Sequence, residues 1–423
     1  MGAEELLLEI DSLGNRVGGI ARRRGEKTVF VRGGLPGELV LCRPVSEKKS
    51  FLEAELLEVR HPSSHRTATS CPHYSWCGGC SLQHLRYERQ LHWKREWVRN
   101  ALSRRGIDEC EPSPTLASPA VMGYRNRVTF EVTGGVPGLH AFRGDPRPVD
   151  GCPLLPERGN AILEKLARAD LTGFGRVAVR SSTGTVSDRV ELYGAGKGEP
   201  ELELPEGVSL AWERGGSWKS RGPRLRERLA GVELEVPPGG FLQVNTAAAE
   251  LLVAMVAEMC GRGPVLDLYA GVGTIGLTLA AGGRRVLCVE RSSRAVRCGR
   301  RAADRQDVGT VEFRASRARS FLVEAVRGRK SFGTVVADPP RAGLGTRAAR
   351  LLRRLRAPRV IMVSCDPFAM ARDLEVLLGG GYRLDGVRPL DLFPQTDHVE
   401  TVALLTLKGG PAGPARTPEG RRT

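Results

Sequence analysis

A cysteine at the end of an apolar stretch has the sequence neighbours of a catalytic nucleophile. Residues 359–364 read Arg-Val-Ile-Met-Val-Ser, a run typical of a strand buried on both faces, and Cys365 follows directly. A helical pattern begins at Phe368, so Cys365 is predicted between the carboxyl end of a strand and the amino end of a helix. Ligands bind at that edge of open α/β sheets, and a helix N-terminus favours a thiolate. A buried structural cysteine explains this stretch equally well.

A second set of cysteines has the spacing of metal ligands. Cys71, Cys77 and Cys80 form a C-x5-C-x2-C array on a glycine-containing loop. Three thiolates do not complete a four-coordinate site, and Cys152, bracketed by glycine and proline, is the best candidate for the fourth ligand. The chemistry of the donors allows a zinc site, in which one of two nearby histidines could take part, or an iron–sulfur cluster.

A glycine-rich loop in the C-terminal half predicts a site for a nucleotide-like ligand. Residues 271–276 match G-x-G-x-x-G after a strand-like run at 265–269, and Glu290 ends the next strand. The pattern fits a nicotinamide dinucleotide, so an NAD-dependent oxidoreductase is a competing interpretation. Asp267 favours S-adenosylmethionine, because an acid beside the loop repels a pyrophosphate and attracts a sulfonium and an amino group. No histidine suited to a hydride relay is evident either, because the C-terminal half contains only His398.

Length and composition indicate a multidomain globular protein with a polyanionic partner. The 423 residues have room for two or three domains of roughly 150 residues, and the net charge of +16 favours nucleic acid as the partner. The N-terminus lacks the pattern of a signal peptide, and no stretch reaches the ~18 apolar residues of a transmembrane helix. We therefore predict a cytoplasmic protein with no membrane partner, and we expect a monomer.

The periodicity of the chain predicts three domains and a tail. The predicted units are residues 1–61, 62–245, 246–408 and 409–423. Five short strand-like runs broken by glycine predict a small OB-like barrel in the first unit. The second combines the cysteine array with a basic helix at 87–105 and further strand-like runs. The third alternates strands with helices and ends in a hairpin, which predicts a doubly wound α/β sheet. The tail is rich in glycine, proline and arginine and is expected to be disordered.

Six motifs occur together in one order along the chain. They are the four cysteines, Phe241-x-Gln-Val-Asn, Asp267-Leu-Tyr-x-Gly-x-Gly, Asp338-Pro-Pro-Arg, Val363-Ser-Cys and Phe393-Pro-Gln-Thr-x-His-Val-Glu. Together they resemble the RNA uracil-5-methyltransferase family, from residue 1 to near residue 408. Within the first unit, Gly18-Gly-Ile-Ala-Arg and the later Leu35-Pro-Gly-Glu-Leu-Val resemble a TRAM domain, an RNA-binding barrel.

The resemblance implies an S-adenosylmethionine-dependent enzyme that methylates carbon 5 of a uridine in RNA, with 23S ribosomal RNA favoured over transfer RNA. It implies a Rossmann-like class I methyltransferase domain, preceded by a TRAM barrel and a β-rich central domain with a [4Fe-4S] cluster. Cys365 is then the nucleophile and Glu400 the base. The residues implied to contact S-adenosylmethionine are Gln243, Tyr269, Glu290 and Asp338, and those implied to hold the cluster are Cys71, Cys77, Cys80 and Cys152.

The chain departs from the family pattern beside the nucleophile. Family members commonly have Asn after the catalytic cysteine, and this chain has Asp366, whose charge would raise the pKa of the thiol. The competing interpretation within the family is an RNA-binding iron–sulfur protein that has lost its activity. The presence of both Cys365 and Glu400 argues against that loss.

Overall fold

The N-terminal unit is a six-stranded sheet. The computed structural model describes residues 5–22, 25–194 and 199–409. The strands of this unit are β1 (Leu6–Glu9), β2 (Ser12–Gly14), β3 (Gly18–Ala21), β4 (Thr28–Arg32), β5 (Leu39–Glu47) and β6 (Phe51–His61). They lie in the order β1-β5-β6-β4-β3-β2, and alternate side chains such as Val29 and Val31 point into a small apolar core. The sequence predicted five strands here and missed β2, because three residues are too few for an alternating pattern to show.

The middle of the chain forms a second sheet with two helices. Its elements are α1 (Tyr87–Ser103), β7 (Arg127–Thr133), β8 (Val136–Leu139), β9 (Arg147–Pro148), α2 (Glu157–Ala167), β10 (Arg176–Ser181), β11 (Asp188–Tyr193), β12 (Val208–Arg214), β13 (Ser217–Arg221), β14 (Arg226–Leu229) and β15 (Val232–Glu235). Strands β7 to β13 form a seven-stranded sheet, and β14 pairs with β15 as a separate hairpin.

The predicted helix at 87–105 is two residues too long. Helix α1 ends at Ser103, and the N–H groups of the following residues fold back on the last carbonyls of the helix. Gly106, in the left-handed region with φ +65°, then turns the chain away. The helix itself joins the units, because Trp97 donates its indole N–H to the carbonyl of Leu13 in β2 at 2.8 Å.

The C-terminal unit is a doubly wound α/β domain. Its elements are α3 (Thr246–Met259), β16 (Val265–Leu268), α4 (Thr274–Ala281), β17 (Val286–Glu290), α5 (Ser293–Arg305), β18 (Val311–Ala315), α6 (Ala318–Arg327), β19 (Thr334–Ala337), α7 (Gly345–Leu355), β20 (Arg359–Ser364), α8 (Pro367–Leu378), β21 (Tyr382–Leu390) and β22 (Glu400–Leu407). The sheet order is β18-β17-β16-β19-β20-β22-β21. The first five strands are parallel, and β22 is antiparallel to both of its neighbours. The predicted α/β fold with a terminal hairpin is confirmed.

The strand order creates a crevice at the centre of this sheet. The chain runs outward from β16 to β18 on one side and resumes at β19 on the other, so β16 and β19 flank a topological switch point. Every residue of β16, β19 and β20 is buried, which explains the apolar runs seen in the sequence. The predicted catalytic and cofactor-binding residues lie where these strands end.

Two further sequence predictions concern membrane-spanning helices and the C-terminal tail. No described helix has both the length and the apolar character that crossing a membrane requires. The predicted disordered tail, residues 409–423, lies outside the described residues except for its first residue.

Candidate active site

The register of two antiparallel strands brings the predicted nucleophile and base together. Ser364 at the end of β20 pairs with Thr401 in β22. One step further along each strand stand Cys365 and Glu400. Their proximity has an electrostatic consequence, because the Glu400 carboxylate contributes to a raised pKa of the Cys365 thiol. Two residues 35 positions apart in the sequence are therefore neighbours at one edge of the sheet.

The thiol of Cys365 is held in its protonated form in the protein alone. Burial is the largest cause, and together with the carboxylates of Glu400, Asp338 and Asp366 it raises the pKa of Cys365 to about 12. The guanidinium of Arg341 acts in the opposite direction. The start of α8 does not offset this environment, since a helix terminus contributes only ~0.3–1 kcal/mol. Formation of the thiolate requires a change in the site when substrate binds.

Asp366 caps the helix that follows the nucleophile. Its Oδ1 accepts hydrogen bonds from the backbone N–H groups of Phe368 and Ala369, each at 3.0 Å. Its Oδ2 accepts a hydrogen bond from Arg16 at 2.9 Å. The charge of Asp366 contributes to the raised pKa of Cys365, as predicted from its place next to the cysteine. The partnership with Arg16, from the turn between β2 and β3, was missed because 350 positions separate the two residues.

Glu400 is a buried carboxyl with an unused acceptor. Its exposed fraction is 2%, and its Oε1 has no hydrogen-bond partner among the described residues. Burial, reinforced by the nearby charge of Asp338, raises the pKa of Glu400 well above its ordinary value. A carboxyl in this environment accepts a proton readily, which is the property that a general base needs.

Neighbouring titratable groups are engaged elsewhere. Asp391 forms a fully buried ion pair with Lys94, at 2.5 Å, and also accepts the N–H of Phe393 at 3.2 Å. The Nε2 of His398 lies 3.2 Å from a guanidinium nitrogen of Arg341. Burial lowers the pKa of His398 to about 4, so the imidazole is neutral at pH 7. Asp391 Oδ2 and His398 Nδ1 also lack a hydrogen-bond partner among the described residues, so what distinguishes Glu400 is its position beside the cysteine.

The glycine loop is shaped by two carboxylates. Asp267 Oδ2 accepts the N–H of Gly276 at 2.9 Å, and Glu290 Oε2 accepts the N–H of Gly271 at 3.2 Å. A side chain at Gly276 would place its Cβ 2.2 Å from the sulfur of Cys288, so only glycine fits there. The loop is thereby held open at the carboxyl ends of β16 and β17.

The residues predicted to contact the methyl donor lie around this loop. Tyr269 follows β16 in the left-handed region, with φ +65°, and its N–H bonds to the carbonyl of Val289 at 3.0 Å. Gln243 Nε2 donates to Asp338 Oδ2 at 3.2 Å, which joins the segment before α3 to the end of β19. With Glu290 at the end of β17, the structure places all four predicted residues at one edge of the sheet.

The electrostatics of this edge favour a cationic ligand. Burial first, and then the charges of Asp338 and Glu290, raise the pKa of Asp267 to about 8. Burial raises the pKa of Asp338 to about 6, although the Gln243 amide acts in the opposite direction. Asp267 Oδ1 also has no hydrogen-bond partner among the described residues. A sulfonium and an ammonium group would relieve this repulsion, whereas a pyrophosphate would increase it. The carboxyl groups at this edge favour S-adenosylmethionine over a dinucleotide.

The four predicted cluster cysteines are close enough to interact electrostatically. Burial is the largest cause of the raised pKa values of Cys77, Cys80 and Cys152, and neighbouring cysteines of the same set add to each of them. Cys71 contributes to two of these shifts. The guanidinium of Arg125 lowers all three pKa values. None of the ten cysteines forms a disulfide.

The structure does not support the predicted metal site at these cysteines. Within residues 5–22, 25–194 and 199–409, no group of three or more His, Cys, Asp or Glu side chains is arranged to hold a metal ion. His84, one of the two histidines considered for a zinc site, instead forms a short hydrogen bond through Nδ1 to the hydroxyl of Tyr74. Burial lowers the pKa of His84 to about 4.

The chain is similar in sequence and in structure to known RNA methyltransferases. The family model described as tRNA (uracil-5-)-methyltransferase matches residues 231–408. The chain is 32% identical to an uncharacterized RNA methyltransferase of Thermosynechococcus vestitus, over 94% of this chain and 97% of that protein. It is 35% identical to another from Streptomyces coelicolor, over 95% and 93% of the two chains. The crystal structure of Pyrococcus abyssi tRNA (uracil-54, C5)-methyltransferase in complex with S-adenosyl-L-homocysteine is similar, with a TM-score of 0.77 and 28% identity over 95% of this chain and 100% of that one.

Proposed function

Because the chain belongs to the RNA uracil-5-methyltransferase family, we propose that Cys365 and Glu400 together methylate carbon 5 of a uridine in RNA. The chain is an S-adenosylmethionine-dependent RNA methyltransferase of that family. The observation that carries the assignment of roles is the register of β20 and β22, which makes the thiol and the buried carboxyl neighbours beside Asp338.

Cys365 supplies the nucleophile. Carbon 5 of uracil is too weak a nucleophile to accept a methyl group unaided, and a thiolate added at carbon 6 converts the ring into an enolate that is nucleophilic at carbon 5. The thiol proton must leave to water as the uracil binds, because the pKa of Cys365 is raised to about 12 without substrate. Arg341 is the cation that favours the thiolate. The target base must also leave its stack to reach the end of β20.

Glu400 completes the reaction. Once carbon 5 carries the methyl group, the Glu400 carboxylate takes the proton from that carbon, and the electron pair reforms the ring double bond as the thiolate leaves carbon 6. The buried Oε1, which has no partner among the described residues, is available for that proton. S-adenosylmethionine, when bound, supplies the methyl group from its sulfonium. We propose that Gln243, Tyr269, Glu290 and Asp338 hold it.

An exposed aromatic ring is suited to hold the extruded base. Phe241 is 63% exposed, so its ring is open to solvent. It lies two residues before Gln243, whose side chain bonds to Asp338. Flipped bases are commonly held by stacking on aromatic side chains. We assign this role to Phe241.

We propose that Cys71, Cys77, Cys80 and Cys152 hold a [4Fe-4S] cluster. Their mutual electrostatic influence supports the proposal, as does Arg125, whose positive charge would stabilise thiolates. The choice of a cluster over zinc rests on the family resemblance of the cysteine spacing.

The other two units are proposed to bind the RNA. Residues 1–61 would be the TRAM domain, an OB-like barrel, and residues 62–245 a central iron–sulfur domain, with residues 246–408 carrying the chemistry. The net charge of +16 supports a polyanionic substrate. We propose that the protein acts as a monomer. We propose 23S ribosomal RNA as the substrate. Transfer RNA is the second candidate, and the similarity to the Pyrococcus abyssi enzyme favours it.

A methyl-transfer assay tests this function. Protein with labelled S-adenosylmethionine and RNA from cells that lack the gene should yield 5-methyluridine, and separation of ribosomal from transfer RNA identifies the substrate. Cys365→Ser should abolish the product. Cys110→Ser is the matched control, because Cys110 is similarly half-buried and lies outside the site. Absence of 5-methyluridine in both RNA classes, from a protein that binds RNA, would support the inactive RNA-binding interpretation.

A further inference from the structure

The turn between β2 and β3 reaches both catalytic segments. Asn15 Nδ2 donates to the carbonyl of Asp397 at 2.6 Å, on the segment that leads into Glu400. Arg16 donates to Asp366 Oδ2 at 2.9 Å, directly after Cys365. Adjacent residues of the N-terminal sheet thus contact the segments that carry the proposed nucleophile and the proposed base.

The turn is held in a defined conformation. Arg16 has φ +66°, in the left-handed region that non-glycine residues adopt rarely. Trp97 of α1 holds the preceding strand through its buried hydrogen bond to Leu13. The surrounding contacts therefore maintain a conformation that presents the Arg16 guanidinium to Asp366.

The charges around Cys365 show why such a partner matters. The charged groups that face the thiol are Glu400 from β22, Asp338 from the end of β19, Asp366 from the start of α8, and Arg341. Asp338 accepts an amide hydrogen from Gln243, whereas Asp366 has a guanidinium partner. The side chain of Asp366 is only 14% exposed, so water screens its charge weakly.

We propose that Arg16 is a positioning residue for methyl transfer: its ion pair with Asp366 offsets part of the charge of the carboxylate beside the nucleophile and fixes the start of α8. The proposal rests on the proposed function of Cys365. It explains how this chain has Asp where the family commonly has Asn, because the arginine reduces the effect of the aspartate charge on the thiol. Arg16 and Asp366 then act as one unit, and the effect of removing Arg16 depends on the charge of Asp366.

A double-mutant cycle tests the proposal without RNA. The rate at which iodoacetamide alkylates Cys365 is measured by peptide mass spectrometry between pH 6.5 and 9.5, for wild type, Arg16→Gln, Asp366→Asn and the double variant. Iodoacetamide reacts with the thiolate, so the rate reports the thiolate fraction. Asn is as good a helix cap as Asp, so Asp366→Asn should preserve α8. Arg16→Lys retains the charge and checks that the turn tolerates substitution, and unfolding curves verify that each variant is folded.

The expected result is a slower alkylation of Cys365 that depends on the charge of Asp366. Arg16→Gln should slow alkylation about twofold to fivefold, the range for a partly exposed ion pair, and displace the pH profile to higher pH. In the Asp366→Asn background the same substitution should have no effect beyond the error. Arg60→Gln is the matched control, because Arg60 pairs with Glu58 on the exposed face of β6.

If Arg16→Gln slowed alkylation equally in wild type and in the Asp366→Asn background, the proposal would be overturned. A salt-dependent loss of RNA affinity, with alkylation unchanged, would also overturn it and assign Arg16 to phosphate binding instead. Failure of the proposed function is distinguishable, because wild-type protein would then form no covalent adduct with 5-fluorouridine RNA at Cys365, whatever the alkylation rates show.

Discussion

Replacing Glu400 by Gln should convert the enzyme into a trap for its own intermediate. The substitution keeps the size of a side chain that is only 2% exposed, so the core around it is not emptied. It also removes a charge that raises the pKa of Cys365, so addition of the thiolate to carbon 6 should not be slowed. Removal of the carbon 5 proton, which comes after methyl transfer, loses its base.

The magnitude follows from the contribution of a positioned base. General base catalysis contributes about 10²–10⁴-fold in rate, which at 1.36 kcal/mol per factor of ten is roughly 2.7–5.5 kcal/mol. A typical turnover of about 10 s⁻¹ would fall to about 0.1–0.001 s⁻¹. The methylated covalent complex should then persist for about ten seconds to about seventeen minutes, long enough to be captured by denaturation.

The assay uses ordinary RNA and S-adenosylmethionine labelled in its methyl group. Glu400→Gln, quenched in denaturant within the first minute, should carry the label on a protein–RNA band, whereas wild type should carry it in free RNA. Asp397→Asn and His398→Gln are the controls, and both should release methylated RNA. Free 5-methyluridine from Glu400→Gln at near the wild-type rate would refute the reasoning, and a trap formed by His398→Gln instead would identify His398 as the base.

Three further predictions concern other parts of the structure. The rate of Cys365 alkylation should increase with pH up to at least pH 9, because the pKa of the thiol is raised to about 12. Arg341→Gln should slow alkylation at every pH, because it removes the cation that lowers the pKa of the thiol. Faster alkylation of Arg341→Gln would contradict this reasoning. Asp391→Ala should reduce the free energy of unfolding by about 3–5 kcal/mol in denaturant titrations, because it leaves Lys94 buried and unpaired, whereas Glu258→Ala in an exposed pair should cost under ~1 kcal/mol. Similar decreases in the free energy of unfolding for Asp391→Ala and Glu258→Ala would refute that reasoning. Anaerobically purified protein should be brown with iron and sulfide, and Cys152→Ser should bleach it; stoichiometric zinc without iron would exclude the cluster.

The catalytic edge of the α/β domain was predictable because burial on both faces leaves a continuous apolar run in the sequence. The run at 359–364 and the helical pattern after it place Cys365 at a strand–helix junction, and the structure has β20 and α8 there. The glycine loop was predictable for a similar local reason, since only glycine fits against Cys288 at residue 276.

Contacts between distant segments were not predictable. Helix α1 is basic in sequence, yet its Lys94 is fully buried against Asp391, 297 positions away. The pair of Arg16 and Asp366 joins two units of the chain and leaves no periodic pattern in either. Such pairs depend on how whole units pack, whereas propensity and periodicity describe a single segment at a time.

The identity of the residue that bonds to the uracil tests the central claim most directly. RNA with 5-fluorouridine in place of uridine is incubated with the protein and S-adenosylmethionine, because fluorine cannot leave carbon 5 as a proton does. The denatured complex is then digested, and the modified peptide is identified by mass spectrometry. The structure predicts a single methylated adduct on Cys365, at the open end of β20. An adduct on the buried Cys288, Cys298 or Cys260, or production of 5-methyluridine from ordinary RNA with no adduct from the fluorinated RNA, would contradict the account.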